Sequence, residues 1–268
     1  MTIYFLGGGN MASAIASGLV KQGGYTLHIA NRSAEKRAHL AATLGVTVSE
    51  TLPSLTQHDI LILAVKPQDM QNACAAVQTN GALVLSVAAG LSIHTLSHYL
   101  GGNQRIIRIM PNTPSQVGLG IAGIYAPPHL SEHDKQQAET IMRTTGEVVW
   151  LNSEQQIHHI TGISGSGPAY VFYLMNALQQ AAIAQGFNLA EARQLSLNTF
   201  KGAVALAEQS GEDFSTLQQK VTSKGGTTHE AITCFQSYQV AEAIQAGVNA
   251  CVARSQAIAQ QFEQPEQN

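Results

Sequence analysis

At 268 residues, with 14 basic and 17 acidic side chains and a formal charge of −3, the chain is long enough for a sizeable core and two domains. That balance excludes the basic face needed to hold nucleic acid, and no run of like charges points to a membrane surface or an acidic tail, so small molecules are the favoured partners. Only 12% of residues are charged while Ala, Gly, Ser and Thr abound, a composition that lets helices and subunits pack closely and hints at an oligomer.

The chain opens on a short apolar strand, residues 2–6, and not on a basic segment followed by an apolar run; no later stretch approaches a membrane span. A cytoplasmic protein is expected. Directly after the strand comes Gly7-x-Gly9-x-x-Ala12 and a helix to about Gln22, then a second strand over residues 25–30. A strand, a glycine-rich turn, a helix and a second strand in that order predict a dinucleotide-binding unit. Gly7 would make the tight turn, Gly9 would let a pyrophosphate reach the backbone, and Ala12 would let helix and strand pack closely. The cofactor is accordingly placed on Gly7, Gly9, Asn10 and Met11. A plain tight turn in another α/β fold is the alternative.

The end of the second strand discriminates between cofactors, because an acidic residue there binds a ribose 2′-hydroxyl and repels a 2′-phosphate. The chain has Asn31-Arg32-Ser33 instead. An amide, a forked guanidinium and a hydroxyl favour NADPH, with NADH not excluded. Apolar runs within 59–65 and 82–87 predict buried parallel strands. Ligands in such sheets lie beyond the carboxyl ends of the strands, which adds Ala64, Val65, Lys66 and Pro67, and Ala88 and Ala89, to the cofactor cleft. Lys66 is read as positioning cofactor and not as a catalyst. The strand over 105–110 ends in Pro111-Asn112-Thr113-Pro114, where Asn112 is free to contact either the nicotinamide or a neighbouring loop.

A strand at 121–126, a helix at 131–144 and a last strand at 147–151 complete the sheet. From 153 onward helical spacing dominates, in segments near 153–160, 166–186, 189–210, 213–220, 227–236 and 239–262. The fold class is thus α/β, a Rossmann-type, doubly wound, mostly parallel sheet over residues 1–152, followed by an all-α domain over 153–268. The first long helix opens at Ser164-Gly165-Ser166-Gly167-Pro168-Ala169-Tyr170, with Pro168 suited to its first turn. Within the helical part the stretch Val221-Thr222-Ser223-Lys224-Gly225-Gly226-Thr227-Thr228-His229-Glu230 leads into a helix, and Thr227 with Glu230 has the spacing of a capping box. Unpaired N–H groups at the positive end of that helix, reached past two glycines, suit a small carboxylate; simple capping is the alternative.

These motifs together resemble the pyrroline-5-carboxylate reductases, which reduce a cyclic imine to proline with NAD(P)H. The likeness runs through the glycine loop, Ala64-Val65-Lys66-Pro67-Gln68, Arg108-Ile109-Met110-Pro111-Asn112-Thr113-Pro114, Ser164 to Tyr170, and Val221 to Thr228. Members of the family usually carry proline where this chain has Lys224. The resemblance implies that Ser223 and the backbone N–H groups of Gly226, Thr227 and Thr228 hold the substrate carboxylate beside Gly225. It also implies that the Thr228 hydroxyl lies near the ring nitrogen as the catalytic group, that Glu208 lies near the substrate, and that the helical domains pair into homodimers that often gather into rings.

The three cysteines, Cys74, Cys234 and Cys251, are odd in number and far apart, which fits a reducing compartment. His94 with His98, and His129 with His133, have i, i+4 spacing but no evident third ligand, so no metal is expected. Two other functions share these features. A hydroxyacid or deazaflavin-linked dehydrogenase has the same domain order, but the catalytic lysine of the hydroxyacid enzymes has no counterpart between Ala169 and Asn176. A non-catalytic NADP-binding sensor would have no use for the carboxylate cradle.

Overall fold

The computed structural model describes residues 2–263. Eight strands form one sheet: β1 (Thr2–Leu6), β2 (Thr26–Ala30), β3 (Thr47–Ser49), β4 (Ile60–Leu63), β5 (Leu83–Ser86), β6 (Ile106–Met110), β7 (Gly120–Tyr125) and β8 (Gly146–Trp150). Their order is β3-β2-β1-β4-β5-β6-β7-β8. All neighbours are parallel except β6 and β7. The exception has a simple cause: residues 111–119 between them hold one 3-10 turn, Thr113–Val117, and are too few for the crossover helix that parallel neighbours need.

The first-half helices are α1 (Asn10–Gln22), α2 (Ala34–Leu44), α3 (Pro67–Cys74), α4 (Ile93–Tyr99) and α5 (Glu132–Arg143). They cover both faces of the sheet, and β4 shows how the sequence arranges it. Its four residues are all apolar and buried; Ile60 and Ile62 join a core with Ile15 and Leu19 of α1 and Ile141 of α5, whereas Leu61 and Leu63 join a second core with Met70 of α3 and Leu96 of α4. Alternation with a period of two thus splits one apolar run between two layers. Each such side chain, removed from water, stabilises the fold by about 1.5–3 kcal/mol.

After Trp150 the regular elements among the described residues are helical: α6 (Gln156–Ile160), a π-helical turn Thr161–Gly165, α7 (Gly167–Ala184), α8 (Leu189–Ser210), α9 (Phe214–Lys220), α10 (Thr227–Ser237) and α11 (Val240–Glu263). The compact division of the chain does not fall at 152/153, where the elements change type. One unit runs through Ser166 and resumes from Ala250; the other is Gly167–Asn249. Two contacts explain why the first unit reclaims the end of α11. A Cβ on Gly90 would lie 2.6 Å from Ile258 Cγ2, and Phe262 packs on the core that contains Leu63 and Leu96.

In the second unit α7 and α8 pack as a pair, tied by the Ser196 hydroxyl donating to the Met175 carbonyl at 2.7 Å. α8 starts with a complete capping box, Asn188 with Glu191. α7 buries none of its residues, although it carries Val171, Phe172, Tyr173, Leu174 and Leu178. Among the described residues no helix is long and apolar enough to cross a membrane.

Candidate active site

Four loops leave the carboxyl edge of the parallel strands side by side. Each extends the strand ladder by one bond: Gly7 N–H to the Ala30 carbonyl, Asn31 N–H to Ser49, Ala64 N–H to Leu6 and Val87 N–H to Leu63, at 2.9, 2.9, 2.9 and 3.1 Å. The three glycines of the first loop have separate causes. Gly7 has φ +103°, and a Cβ there would lie 2.6 Å from the Ala64 carbonyl oxygen, so both its dihedral and its neighbour demand glycine. A Cβ on Gly8 would lie 2.7 Å from Leu40 Cδ1 and 2.9 Å from Asn31 Nδ2, which the sequence pattern did not single out. Gly9 is different: φ −82°, ψ −178°, exposed, and with nothing within 4 Å of a Cβ.

Gly9 is the N-cap of α1, which has no side-chain cap and no acidic residue in its first turn; Asn10 and Met11 are its first two residues. A helix start of this kind leaves N–H donors and a positive dipole end facing outward, which fits the diphosphate of a dinucleotide. Ala12 is fully buried against the sheet, as close helix–strand packing requires.

The loop after β2 is held from within. Asn31 Oδ1 accepts the Ser33 N–H at 2.9 Å, and Arg37 Nη1 donates to the carbonyls of Asn31 and Arg32 at 2.6 and 3.1 Å. Ser33 caps α2 through the Lys36 N–H. Arg32 is left pointing into solvent, its side chain 86% exposed, with Asp69 Oδ2 3.6 Å from its Nη2. Arg37 was not visible as a site residue because its task is to fix two carbonyls six and five residues back. Lys66 is the exposed N-cap of α3, Pro67 its first residue, and Ala64 and Val65 are half-buried beside Gly7. Ala88 is buried and Ala89 half-buried on the loop after β5, where the Ala88 N–H reaches the Ser86 hydroxyl.

Asn112 takes the neighbouring-loop role of the two left open for it. Its Nδ2 donates to the Ser164 carbonyl at 3.1 Å and its Oδ1 accepts the Ile121 N–H at 2.9 Å, and it is buried. Nearby, Arg108 of β6 is 2% exposed and pairs through Nη1 with Glu154 Oε1 at 3.0 Å; that oxygen also accepts the Ile93 N–H at the start of α4. Arg108 Nε and Nη2 have no partner among the described residues. Burial lowers the Arg108 pKa, with Glu154 opposing the shift. His158, buried on α6 with Nδ1 2.9 Å from the Ser255 hydroxyl, is held below the usual imidazole value by burial and then by Arg108. Arg108 and Glu154 are 46 residues apart in sequence and His158 and Ser255 are 97 apart, so these four were not legible as a group.

The carboxylate-suited stretch lies in the helical unit. α10 begins at Thr227, and its N-cap is Gly226, without a side-chain cap. The expected capping box of Thr227 with Glu230 is therefore absent: the Glu230 N–H bonds the Gly226 carbonyl at 3.2 Å, one residue earlier than the spacing suggested. A second expectation is also corrected. The Gly226 N–H does not face outward, since it closes a turn onto the Ser223 carbonyl at 3.0 Å, with Gly225 at φ +71° supplying the left-handed residue. A Cβ on Gly226 would lie 2.5 Å from Ser223 Oγ, so this turn brings the Ser223 hydroxyl against the mouth of α10. Thr227 and Thr228 occupy the first turn, exposed, with neither hydroxyl capping the helix. Glu208 is exposed on the last turns of α8, and no hydrogen bond or ion pair joins it to this loop among the described residues.

Two family models match the chain. Residues 154–258 match the one described as pyrroline-5-carboxylate reductase dimerisation, and residues 2–90 match NADP oxidoreductase, coenzyme F420-dependent. A pyrroline-5-carboxylate reductase of Vibrio alginolyticus is 39% identical over 97% of this chain and 98% of its own. Pyrroline-5-carboxylate reductase 2 of Bacillus subtilis is 34% identical over 97% and 96%. The solved structure of a pyrroline-5-carboxylate reductase from Coxiella burnetii superposes with a TM-score of 0.85 at 36% identity, covering 96% of this chain and 98% of that one.

Proposed function

The chain belongs to the pyrroline-5-carboxylate reductase family, and on that premise we propose which of its residues carry the reduction. The enzyme reduces the C=N bond of 1-pyrroline-5-carboxylate with NAD(P)H and yields proline. The first turn of α10 holds the substrate carboxylate: the N–H groups of Thr227 and Thr228 donate to it and the Ser223 hydroxyl closes over it. Gly225 and Gly226 shape the turn that aims Ser223 there. The single observation that carries this reading is the uncapped start of α10 with a serine hydroxyl folded across it, a set of donors without an acceptor. By the family resemblance Glu208 would stand near the substrate.

NADPH is the proposed cofactor. Gly7, Gly9, Asn10 and Met11 would hold its diphosphate at the α1 N-terminus, Arg32 and Ser33 its 2′-phosphate on a loop that Asn31 fixes, and Ala64, Val65, Lys66, Pro67, Ala88 and Ala89 its flanks. Asn112 acts at one remove, by holding the loops at 121 and 164. When bound, the reduced nicotinamide supplies the hydride. The residues then have little bond chemistry to perform, because a protonated imine is electrophilic without a strong acid; they position it and exclude water. The Thr228 hydroxyl orients the ring nitrogen and keeps its proton in place as the imine carbon is reduced to an amine-bearing CH₂.

A homodimer through the helical unit is proposed with it. The apolar, unburied surface of α7, lying inside a segment that matches a dimerisation model, supports the pairing, and a ring of dimers is the larger assembly. Three free thiols suit the cytoplasm. The test of the catalytic assignment is Thr228→Ala beside Thr228→Ser. Turnover should fall about 100-fold in the alanine variant and largely return in the serine variant, with the NADPH dissociation constant unchanged. Full turnover in the alanine variant would remove Thr228 from the reaction.

A further inference from the structure

The ion pair with Asp69 engages the Arg32 guanidinium that is proposed to hold the 2′-phosphate. Arg32 follows β2, and Asp69 is in the first turn of α3, which follows β4. In the sheet β1 lies between β2 and β4, so the pair joins the two loops that flank the Gly7 turn. Asp69 is anchored by its own backbone, its N–H donating to the Lys66 carbonyl at 3.0 Å, while the Arg32 backbone is fixed by Arg37. Only the two side chains are free to move apart. Their separation, 3.6 Å, is that of a solvated pair, with Asp69 40% and Arg32 86% exposed.

We infer that Asp69 is a specificity-determining residue that competes with the cofactor's 2′-phosphate for Arg32 and so limits the preference for NADPH over NADH. The inference rests on the assignment of Arg32 to the 2′-phosphate. A phosphate near neutral pH carries close to two negative charges and needs the guanidinium that Asp69 already holds; it also meets the repulsion of the carboxylate left behind. The 2′-hydroxyl of NADH is neutral, does not require Arg32, and leaves the pair intact. Asp69 therefore acts against one cofactor and is indifferent to the other. Because pair and phosphate are both solvent-facing and screened, the effect is modest, a factor of about 3–10 in affinity.

The experiment is a titration of NADPH and of NADH into the full chain, followed by the fluorescence of the reduced nicotinamide, for the native protein, Asp69→Asn, Arg32→Gln and the double variant. Asp69→Asn should tighten NADPH about 3–10-fold and move NADH less than about twofold, and the gain should vanish when Arg32→Gln is also present. An unchanged NADPH constant in Asp69→Asn, or an equal shift for both cofactors, overturns the inference. The two readings fail differently. Arg32→Gln weakening NADPH selectively while Asp69→Asn is silent refutes Asp69 alone. Arg32→Gln leaving the ratio of the two cofactors untouched refutes the phosphate assignment and the inference together.

Discussion

Gly7 and Gly9 stand two residues apart in one loop, yet alanine should affect them in opposite ways. At Gly7 the added methyl meets the Ala64 carbonyl oxygen at 2.6 Å and its carbon at 2.9 Å, both backbone atoms of a central strand end, and it does so at φ +103°. Positive φ costs an L-residue about 1–3 kcal/mol, and overpacking against atoms that cannot turn aside adds about 1–3 kcal/mol. Together these cost about 2–6 kcal/mol, so at roughly 2–4 °C per kcal/mol Gly7→Ala should lower Tm by about 4–24 °C. At Gly9 the backbone is extended and the methyl meets nothing within 4 Å, so Gly9→Ala should leave Tm within about 2 °C of the native value. The same methyl would occupy the approach to the α1 N–H groups, and the NADPH dissociation constant should rise about tenfold or more. The assays are thermal melting followed by NADPH titration of the same samples. A large loss of Tm in Gly9→Ala would refute the geometry; native NADPH affinity in a folded Gly9→Ala would refute the seating of the diphosphate on this helix.

Two further outcomes test the buried side chains near β6. Glu154→Gln leaves the Arg108 guanidinium buried without its counter-charge; as Glu154 is itself 32% exposed, the loss should be about 1–3 kcal/mol, read as a Tm lower by a few degrees, and an unchanged Tm would show that the pair is solvated. The lowered pKa values of His158 and His28, both caused first by burial, give stability that is complete above the unfolded value of 6.5 and is lost as pH falls through it toward the lower folded values. Tm should therefore be flat from pH 8 to 7 and decline from about pH 6.5 downward, with a shallower decline in His158→Gln; an identical slope in that variant would deny His158 a part.

Local pattern sufficed wherever one segment decides its own structure. The strand, glycine turn and helix at residues 2–22 and the long helices after 153 were legible because apolar spacing and loop residues there agree. β3 was missed: Thr47-Val48-Ser49 is too short and too polar to stand out, and it exists because β2 offers it a ladder. The start of α10 at Thr227 was legible, but its N-cap was placed one residue late, on Thr227 and not Gly226, because the choice is made by the Ser223 turn behind them. Arg108 read as part of an apolar strand motif. Its meaning comes from Glu154, which folding brings to it from another element, and no spacing rule links the two. Likewise the Arg32–Asp69 pair depends on β1 lying between β2 and β4, a fact of topology.

The central claim is that the first turn of α10 grips the substrate carboxylate, and the most direct measurement compares kcat/KM for 1-pyrroline-5-carboxylate with that for 1-pyrroline, which lacks the carboxyl group, at saturating NADPH. Charge-assisted hydrogen bonds contribute about 1.5–3 kcal/mol each, so two or three of them predict a loss of at least about 100-fold with 1-pyrroline. Comparable kcat/KM for the two imines would contradict the account.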